Sequence, residues 1–281
     1  MTTLQLLIST IDEGIDRVRS LVLPQREGVG YVISWQHSAP EKPRHVPQAL
    51  QRPDIVITHL QGRGLSRNRN NALAHATADI CLLADDDCRY TREGLQTLID
   101  TFDNHPDIQL ATFQMRSAGE KRTYPARSFS LNSPPRGYMA YSIEIAFRRE
   151  AVQGVIRFNE HFGLGAERFH CGEEEIFLHD ALHAGLSGRF FPITVVTHDD
   201  VTTDHIRVRE RGVLMAKGAY LYIGYPAKMF LYPFPIAWRL KKNYDVPLLR
   251  SLRYMFSGLA YIIFHPSIAK AGRIAERKQE R

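Results

Sequence analysis

The sequence has little cysteine, no signal-peptide pattern and no apolar run of membrane-spanning length. Its three cysteines, Cys81, Cys88 and Cys171, follow no metal-ligand spacing, and their odd number argues against a disulfide framework. The first residues lack the basic and apolar regions of a secretory signal. A long uncharged run at 254–269 falls short of the roughly 20 apolar residues that span a bilayer. These absences favour a reducing compartment and predict a cytoplasmic protein.

Apolar residues and a moderate excess of positive charge are what the sequence does have. Its 281 residues are 44% hydrophobic, enough for one large α/β domain with an appendage. The 36 Lys and Arg against 30 Asp and Glu give a net charge of +6 and a pI of about 9.3. This balance suits an anionic partner, whether a nucleotide-sugar, a phospholipid or a nucleic acid.

Strand-like and helix-like segments alternate along the chain, which is typical of a mostly parallel sheet flanked by helices. The predicted strands are residues 4–10, 30–35, 54–60, 80–84, 108–115, 142–148 and 190–197. We expect an α/β domain over residues 1–206, divided into halves at 1–116 and 117–206. A C-terminal helical region rich in aromatic and basic residues is expected over 207–281.

Three consecutive aspartates follow the apolar run at 80–84. Side chains alternate along extended backbone, so Asp85 and Asp87 are expected to point one way and Asp86 the other. Carboxylate oxygens suit Mn²⁺ or Mg²⁺, and Mg²⁺ sites combine one or two protein carboxylates with substrate phosphates. The triplet predicts a metal site, with an acidic loop at a helix start as the alternative reading.

The residues upstream place this triplet in a longer pattern. Residues 62–68, with the sequence GRGLSRN, form a turn and a helix start, for which Ser66 is the expected N-cap. A strand then ends in Asp85-x-Asp87. This order resembles the family-2 nucleotide-sugar glycosyltransferases of the GT-A (Rossmann-like) fold, of the bacterial surface-polysaccharide type, over about the first 200 residues. The resemblance implies a Mn²⁺ or Mg²⁺ cofactor and a nucleotide-sugar donor, most simply a UDP-sugar.

A second acidic cluster opens a segment with helical apolar spacing after Gly172. Acidic residues are favourable in a helix's first turn, so ordinary capping also explains it. In the family, a Gly-Glu-Asp-like motif here supplies the catalytic base, and Glu174 stands where the aspartate usually stands. Glu173 and Glu175 remain alternatives. The implied reaction is inverting transfer of a sugar to a hydroxyl of a glycan or lipid-linked acceptor.

The resemblance also implies contacts to the donor and the metal. The expected nucleotide-sugar contacts are Thr10, Asp12, Trp35, Arg63, Arg67 and Asp86. Helix starts and arginines bind phosphate, which favours a diphosphate contact from Arg63 or Arg67. The expected metal ligands are Asp85, Asp87 and His198, with His205 as the substitute for the last. Residues 34–38, SWQHS, replace the Asp-Asp-Gly-Ser-like turn of many relatives, and Trp35 is expected to stack on the base.

A glycine-containing segment at 158–172 precedes the second acidic cluster. Gly163 and Gly165 favour a mobile loop that closes over a sugar. The neighbouring Phe162 and Phe169 either stack on a pyranose ring or belong to the core.

The C-terminal region combines aromatic and basic residues, which is typical of helices that lie in a membrane interface. We expect peripheral attachment to the anionic inner face of the cell membrane. The contributing basic residues are Lys270, Arg273, Arg277, Lys278 and Arg281. A dimer-forming or domain-packing appendage explains the same aromatics. No nucleic-acid partner is predicted.

Readings from other functional classes remain open. His179 and His183 lie four apart on a helix, and this spacing resembles the zinc motif of a hydrolase. A nucleotidyltransferase shares the α/β architecture and metal carboxylates but has no need of the second acidic cluster. An inactive sugar-nucleotide or glycan-binding module would keep the fold and lose turnover.

Overall fold

A computed structural model describes residues 1–40, 45–117, 122–198 and 207–274. Within these residues, nine strands form one sheet. The strands are β1 (Leu4–Ile11), β2 (Val29–His37), β3 (Ile55–Gln61), β4 (Ile80–Asp85), β5 (Cys88–Arg89), β6 (Leu110–Ser117), β7 (Phe129–Ser130), β8 (Ile145–Arg148) and β9 (Gly188–His198). The helices are α1 (Ile15–Leu21), α2 (Leu65–Ala74), α3 (Arg92–Asn104), α4 (Arg149–Val152), α5 (Glu173–His183), α6 (Arg211–Gly224), α7 (Pro233–Tyr244), α8 (Leu248–Phe264) and α9 (Pro266–Ala269).

The first half of the sheet is parallel, in the order β3-β2-β1-β4. Strands β1 and β4 are almost wholly buried, because helices cover both faces and the strands are continuous apolar runs. In their register Ser9 pairs with Asp85, so the two strands end side by side. Ligands of open parallel sheets bind beyond this carboxyl edge.

The second half of the sheet is mixed. Strand β8 is antiparallel to both β4 and β6, and β9 is parallel to β6. The short β5, directly after the aspartate triplet, pairs with the end of β9 through Cys88 and His198. This pairing carries His198, at the end of the described part of β9, to the same edge of the sheet as the triplet. The predicted α/β fold with a mostly parallel sheet is confirmed.

Helix α2 begins two residues earlier than expected. Its N-cap is Gly64, which has φ of 131°, a left-handed value that favours glycine. Ser66 lies inside the helix, and its hydroxyl donates to the carbonyl of Phe162 at 2.6 Å. The predicted Ser66 cap is wrong, because that hydroxyl holds a distant loop. Thr91 is the N-cap of α3, and its hydroxyl accepts from the amide of Gly94 at 3.0 Å.

The predicted C-terminal helices are present as α6 to α9. Helices α6 and α8 meet at two glycines: a Cβ on Gly218 would lie 1.9 Å from the Met255 carbonyl oxygen, and one on Gly258 would lie 2.0 Å from that of Met215. In the described residues, no helix combines the length and the apolarity that a membrane crossing requires. The predicted boundary at 206/207 lies against residues 199–206, outside the described ranges, and stays a prediction.

Gly258→Ala should destabilise the protein by about 3 kcal/mol or more, because the new methyl group meets backbone that cannot rotate away. Urea unfolding measures the change as a lower midpoint at an unchanged slope. Ser257→Ala is the matched control, since Ser257 is exposed on the same helix, and it should change stability by less than about 0.5 kcal/mol. Equal stabilities of the two variants would show that the helices do not cross this closely.

Candidate active site

A cavity of about 500 Å³ opens at the carboxyl edge of the sheet. The ends of β1 and β4 and the starts of α2 and α5 all contribute to its lining. Its lining includes Asp85, Asp86, Asp87, Glu173 and Glu174. The two acidic clusters, far apart in the chain, therefore face one space of a size suited to a small-molecule ligand.

Arg69 joins the two acidic clusters. Its guanidinium donates to Glu173 Oε1 at 3.0 Å, to Asp85 Oδ1 at 3.2 Å and to the hydroxyl of Ser142 at 2.7 Å. The side chain is only 3% exposed. Burial opposes its charge, but Asp85 and Glu173 outweigh that effect and the pKa of Arg69 is raised. The permanently charged guanidinium of Arg69 thus holds the end of β4 against the first turn of α5.

Asp86 points away from Arg69 and organises the loop after β1. It accepts from Thr10 Oγ1 at 2.6 Å and from both Nε and Nη2 of Arg17, at 3.1 and 2.6 Å. A Cβ on Gly14 would lie 2.4 Å from its Oδ2. Burial raises the pKa of Asp86, while the bonds from Thr10 and Arg17 oppose this. Its main contacts position the loop that carries Thr10.

Asp87 and His198 offer two ligand atoms to a cation. Asp87 Oδ1 and His198 Nε2 are 3.2 Å apart, and neighbouring ligands of an octahedral Mg²⁺ or Mn²⁺ lie about 3 Å apart. The hydrogen bond to His198 lowers the pKa of Asp87, which favours the carboxylate form that binds metal. The chemistry of this donor set fits Mn²⁺, which accepts both carboxylate and imidazole.

Asp85, the remaining expected ligand, is placed differently. In the described part of the chain, no three His, Cys, Asp or Glu side chains converge as a group that could hold a metal ion. Asp85 is turned to Arg69, so it does not complete a cluster with Asp87 and His198. His205 lies outside the described residues.

The three glutamates of α5 occupy different environments. The N-cap Gly172 has φ of 91°, and this left-handed turn directs the first helical turn at the cavity. Glu173 is 6% exposed and bound by Arg69. Glu174 lines the cavity and is half-buried, whereas Glu175 is not part of the lining.

The structure separates the expected nucleotide contacts into two groups. Thr10 and Arg63 line the cavity together with Asp86, and Asp12, Trp35 and Arg67 do not. Trp35 is 1% exposed, and its indole N–H donates to the Asp12 carbonyl at 2.8 Å. Its ring is inside the core and is not presented to a base in this structure.

Asp12 and Arg67 are likewise engaged elsewhere. Asp12 accepts from the amide of Ser38 at 2.8 Å, which ties the loop after β1 to the end of β2. Arg67 donates to the Gln61 carbonyl at 3.1 Å and is exposed outside the cavity. Trp35 and Asp12 therefore stabilise the loop after β1 without lining the cavity.

The segment expected to be a mobile loop forms a wall of the cavity. The Leu65 amide donates to the Leu164 carbonyl at 2.8 Å, and a Cβ on Gly165 would lie 3.0 Å from the Gly64 nitrogen. Phe162 and Phe169 stack on each other at 4.6 Å and are both 1% exposed, so they belong to the core. Contacts to the start of α2 hold the segment in place.

Several lining residues were not anticipated from the sequence. They are Arg17, Asn68, Arg69, His170 and Arg207. One signal was present for Arg69: it precedes Ala72 and Leu73 by three and four residues, so helical spacing puts it on their buried face. A charged residue on the buried face of a helix indicates a buried partner.

His179 and His183 do not support the hydrolase reading. Their rings stack at 4.1 Å with an interplanar angle of 28°, and His179 contacts the buried Asp180. Neither histidine lines the cavity. Burial, the neighbouring His179 and Arg273 together lower the pKa of His183, which is the behaviour of a packed pair of imidazoles.

A buried carboxyl supports the other wall of the cavity. Glu144 is fully buried, pairs with Arg122 at 3.2 Å and accepts from the Tyr141 amide at 2.9 Å and from the hydroxyl of Tyr124. Burial raises its pKa to about 7, although these partners oppose the shift. The next residues back, Tyr141 to Ile143, line the cavity.

Glu144→Gln should make stability less dependent on pH. Well below pH 4.5 the carboxyl is neutral in both the folded and the unfolded state. Between pH 4.5 and about 7 it ionises in the unfolded state but stays neutral in the folded protein, so the parent loses stability relative to the variant. The expected difference at pH 8 is about 3 kcal/mol, measured by urea unfolding from pH 4.5 to 8. Glu150→Gln, on the exposed side of α4, should track the parent. A stability difference that stays constant across this range would contradict the assignment.

Comparisons with known proteins agree with this architecture. Residues 36–166 match the sequence model of glycosyl transferase family 2. Two pre-mycofactocin glycosyltransferases of Mycobacterium tuberculosis, from strains CDC 1551 / Oshkosh and ATCC 25618 / H37Rv, are each 26% identical over 186 residues, or 62% of this chain. The match spans only 38% of the length of these curated relatives.

Among solved structures, S. aureus TarS 1-349 superimposes with a TM-score of 0.52 at 14% identity, covering 99% of this chain and 76% of the TarS 1-349 chain. The complex of TarS 1-349 with UDP-GlcNAc gives 0.51 at 15% identity, covering 94% and 73%. At such identities the likeness shows the fold, which is GT-A. With this fold, the match of residues 36–166 makes the chain similar to glycosyl transferase family 2.

Proposed function

We propose that this protein transfers a sugar from a nucleotide-diphosphate donor, a UDP-sugar, to an acceptor hydroxyl with inversion at the anomeric carbon. One observation carries the proposal: Arg69 fixes the aspartates that end β4 and the glutamates that begin α5 around a single cavity. A metal-binding edge and a base-bearing edge on one space are what this reaction needs. The UDP and UDP-GlcNAc complexes of TarS support the choice of a UDP-sugar.

The donor end of the site is the edge formed by β1, β4 and the start of α2. Arg63 lines the cavity beside Gly64, where the α2 amides begin, so the donor diphosphate is best accommodated there. Thr10, held by Asp86, borders the same end. Asp87 and His198 are the residues proposed to hold Mn²⁺ or Mg²⁺. Asp85 lines the same cavity but is paired with Arg69. When bound, the cation supplies positive charge to the diphosphate and to the departing nucleotide.

The acceptor end is the edge formed by α5. We assign the base to Glu174, because Glu173 is committed to the buried pair with Arg69 and Glu175 lies outside the lining. Glu174 takes the proton of the acceptor hydroxyl as its oxygen attacks the anomeric carbon. The nucleotide leaves from the opposite face of the sugar, which gives inversion. Arg69 and Ser142 keep the two edges at a fixed separation during this step.

The acceptor proposed is a glycan or lipid-linked glycan in bacterial surface-polysaccharide assembly, on the strength of the family resemblance. A lipid-linked acceptor would be reached by peripheral attachment of the protein to the inner face of the membrane. A homodimer stays a prediction. An inactive binding module would bind the same donor without turning it over, so a turnover measurement distinguishes it from the proposed enzyme.

Calorimetry with UDP-GlcNAc and other UDP-sugars, with and without Mn²⁺, tests donor binding. We expect one donor to bind, and to bind at least about tenfold more weakly in Asp87→Ala or without metal. Asp16→Ala, an exposed change on α1, is the matched control. Tight binding that depends neither on Mn²⁺ nor on Asp87 would contradict a metal-dependent donor site.

A further inference from the structure

Helix α7 and the turn before it expose a stripe of large apolar side chains. Phe230, Leu231, Phe234 and Trp238 are 56%, 67%, 54% and 65% exposed. Leu231, Phe234 and Trp238 follow one another at intervals of three and four, so they share one face. The opposite face is buried, with Pro233, Ala237 and Leu240 turned inward and Leu240 packed with Val208, Leu214 and Val246. Folding of the described chain thus buries one face of α7 and leaves the aromatic face mostly exposed, although Phe234 also packs edge-on against Phe256 at 5.9 Å.

Positive charge is concentrated in the same part of the protein. Residues 211–274 contain ten Lys and Arg and a single acidic residue, Asp245, whereas residues 1–210 contain 23 Lys and Arg against 27 Asp and Glu. Three of the ten, Arg239, Lys241 and Lys242, are exposed on α7 next to the aromatic stripe. Asp245 is paired with Lys241 at 2.5 Å. The molecule therefore has a cationic end and a weakly anionic catalytic end.

We propose that α7 lies flat on an anionic phospholipid bilayer, with Phe230, Leu231, Phe234 and Trp238 inserted at the level of the headgroups and Arg239 and Lys242 against the lipid phosphates. Amphipathic helices with aromatic residues on one side and basic residues beside them bind in this way. The charge asymmetry favours this occupant over a second copy of the chain, because two such faces would bring like charges together. The inference concerns attachment and is independent of the transfer reaction.

The attachment also orients the cavity. The guanidinium of Arg209 donates to the Tyr244 carbonyl at the end of α7, at 2.6 Å from Nη2. Two residues earlier, Arg207 lines the cavity. The lipid-facing helix is thus bonded to the short segment that also contributes Arg207 to the cavity lining. This last step rests on the proposed function and names its acceptor as one presented at the membrane surface.

Cosedimentation of the full chain with vesicles tests the attachment without any sugar-nucleotide. We expect binding to vesicles of phosphatidylcholine with about 30% phosphatidylglycerol and little binding to phosphatidylcholine alone. Phe234→Ser with Trp238→Ser, and separately Arg239→Gln with Lys242→Gln, should each weaken binding at least about tenfold. Val56→Ser and Arg19→Gln, exposed changes on β3 and α1, are the controls and should bind like the parent.

Three results would overturn the inference. Parental binding by both double variants would place attachment elsewhere. Binding that depends on the basic residues but not on the aromatics, and that extends to duplex DNA, would indicate a polyanion surface. A concentration-dependent dimer that Phe234→Ser with Trp238→Ser converts to monomer would assign the stripe to a second copy. Donor hydrolysis in solution should be the same in all four variants, so failure of attachment is distinguishable from failure of the proposed reaction.

Discussion

Replacing Arg69 with Met should cost about 3–5 kcal/mol of stability, because it leaves the buried Glu173 carboxylate without its cation. Asp85, 35% exposed, loses the same partner but keeps contact with water. Activity should fall with stability, since the ends of β4 and α5 are then no longer held together. Urea unfolding and turnover of the donor measure the two losses.

A second substitution separates folding from function at this position. Arg69→Met combined with Glu173→Gln removes the uncompensated charge and should recover much of the stability, because a neutral amide is far less costly to bury. Turnover should stay low, since nothing restores the link to Asp85. Parental stability in the single variant would show that Arg69 does not bridge the clusters, and full turnover in the double variant would show that the bridge is not needed.

Glu174→Gln should lower turnover by about 10²–10⁴-fold, the usual contribution of a general base. Donor affinity should remain near the parental value, since the side chain is placed at the acceptor end and keeps its size. Calorimetry with the donor and rate measurements at saturating substrate give the two quantities.

Glu175→Gln is the matched control for this substitution. The residue lies in the same helical turn but outside the cavity lining, and its loss should change turnover by less than about threefold. Parental turnover in Glu174→Gln, or an equal loss in both variants, would move the base to Glu173 or away from α5.

The sequence predicts the frame of the site well, because the frame depends on local patterns. The apolar runs of β1 and β4 become buried parallel strands, and β4 ends at Asp85, the first residue of the aspartate triplet. Asp86 and Asp87 follow in a turn, so strand alternation does not set their directions, and Asp85 and Asp87 have different partners. The helical spacing after Gly172 becomes α5. In each case, a few consecutive residues determine both the element and its buried face.

Contacts between distant residues account for what the sequence could not predict. Arg69 and Glu173 are 104 positions apart, and the pairing of Cys88 with His198 joins ends of strands that no local pattern relates. Trp35 was expected at a nucleotide base but is buried, because its indole donates to a loop carbonyl that folds back over β2. Side-chain roles of this kind depend on contacts between elements that are distant in the sequence.

Release of free nucleoside diphosphate from a panel of nucleotide-sugars with Mn²⁺ is the decisive measurement for a sugar-transfer site, because water can replace the acceptor. We expect release from one donor that the protein also binds, reduced strongly in both Asp87→Ala and Glu174→Gln. Release that neither substitution reduces, or a donor that calorimetry shows to be bound and that stays intact in the presence of membrane-derived acceptors, would contradict a sugar-transfer site built from these two acidic clusters.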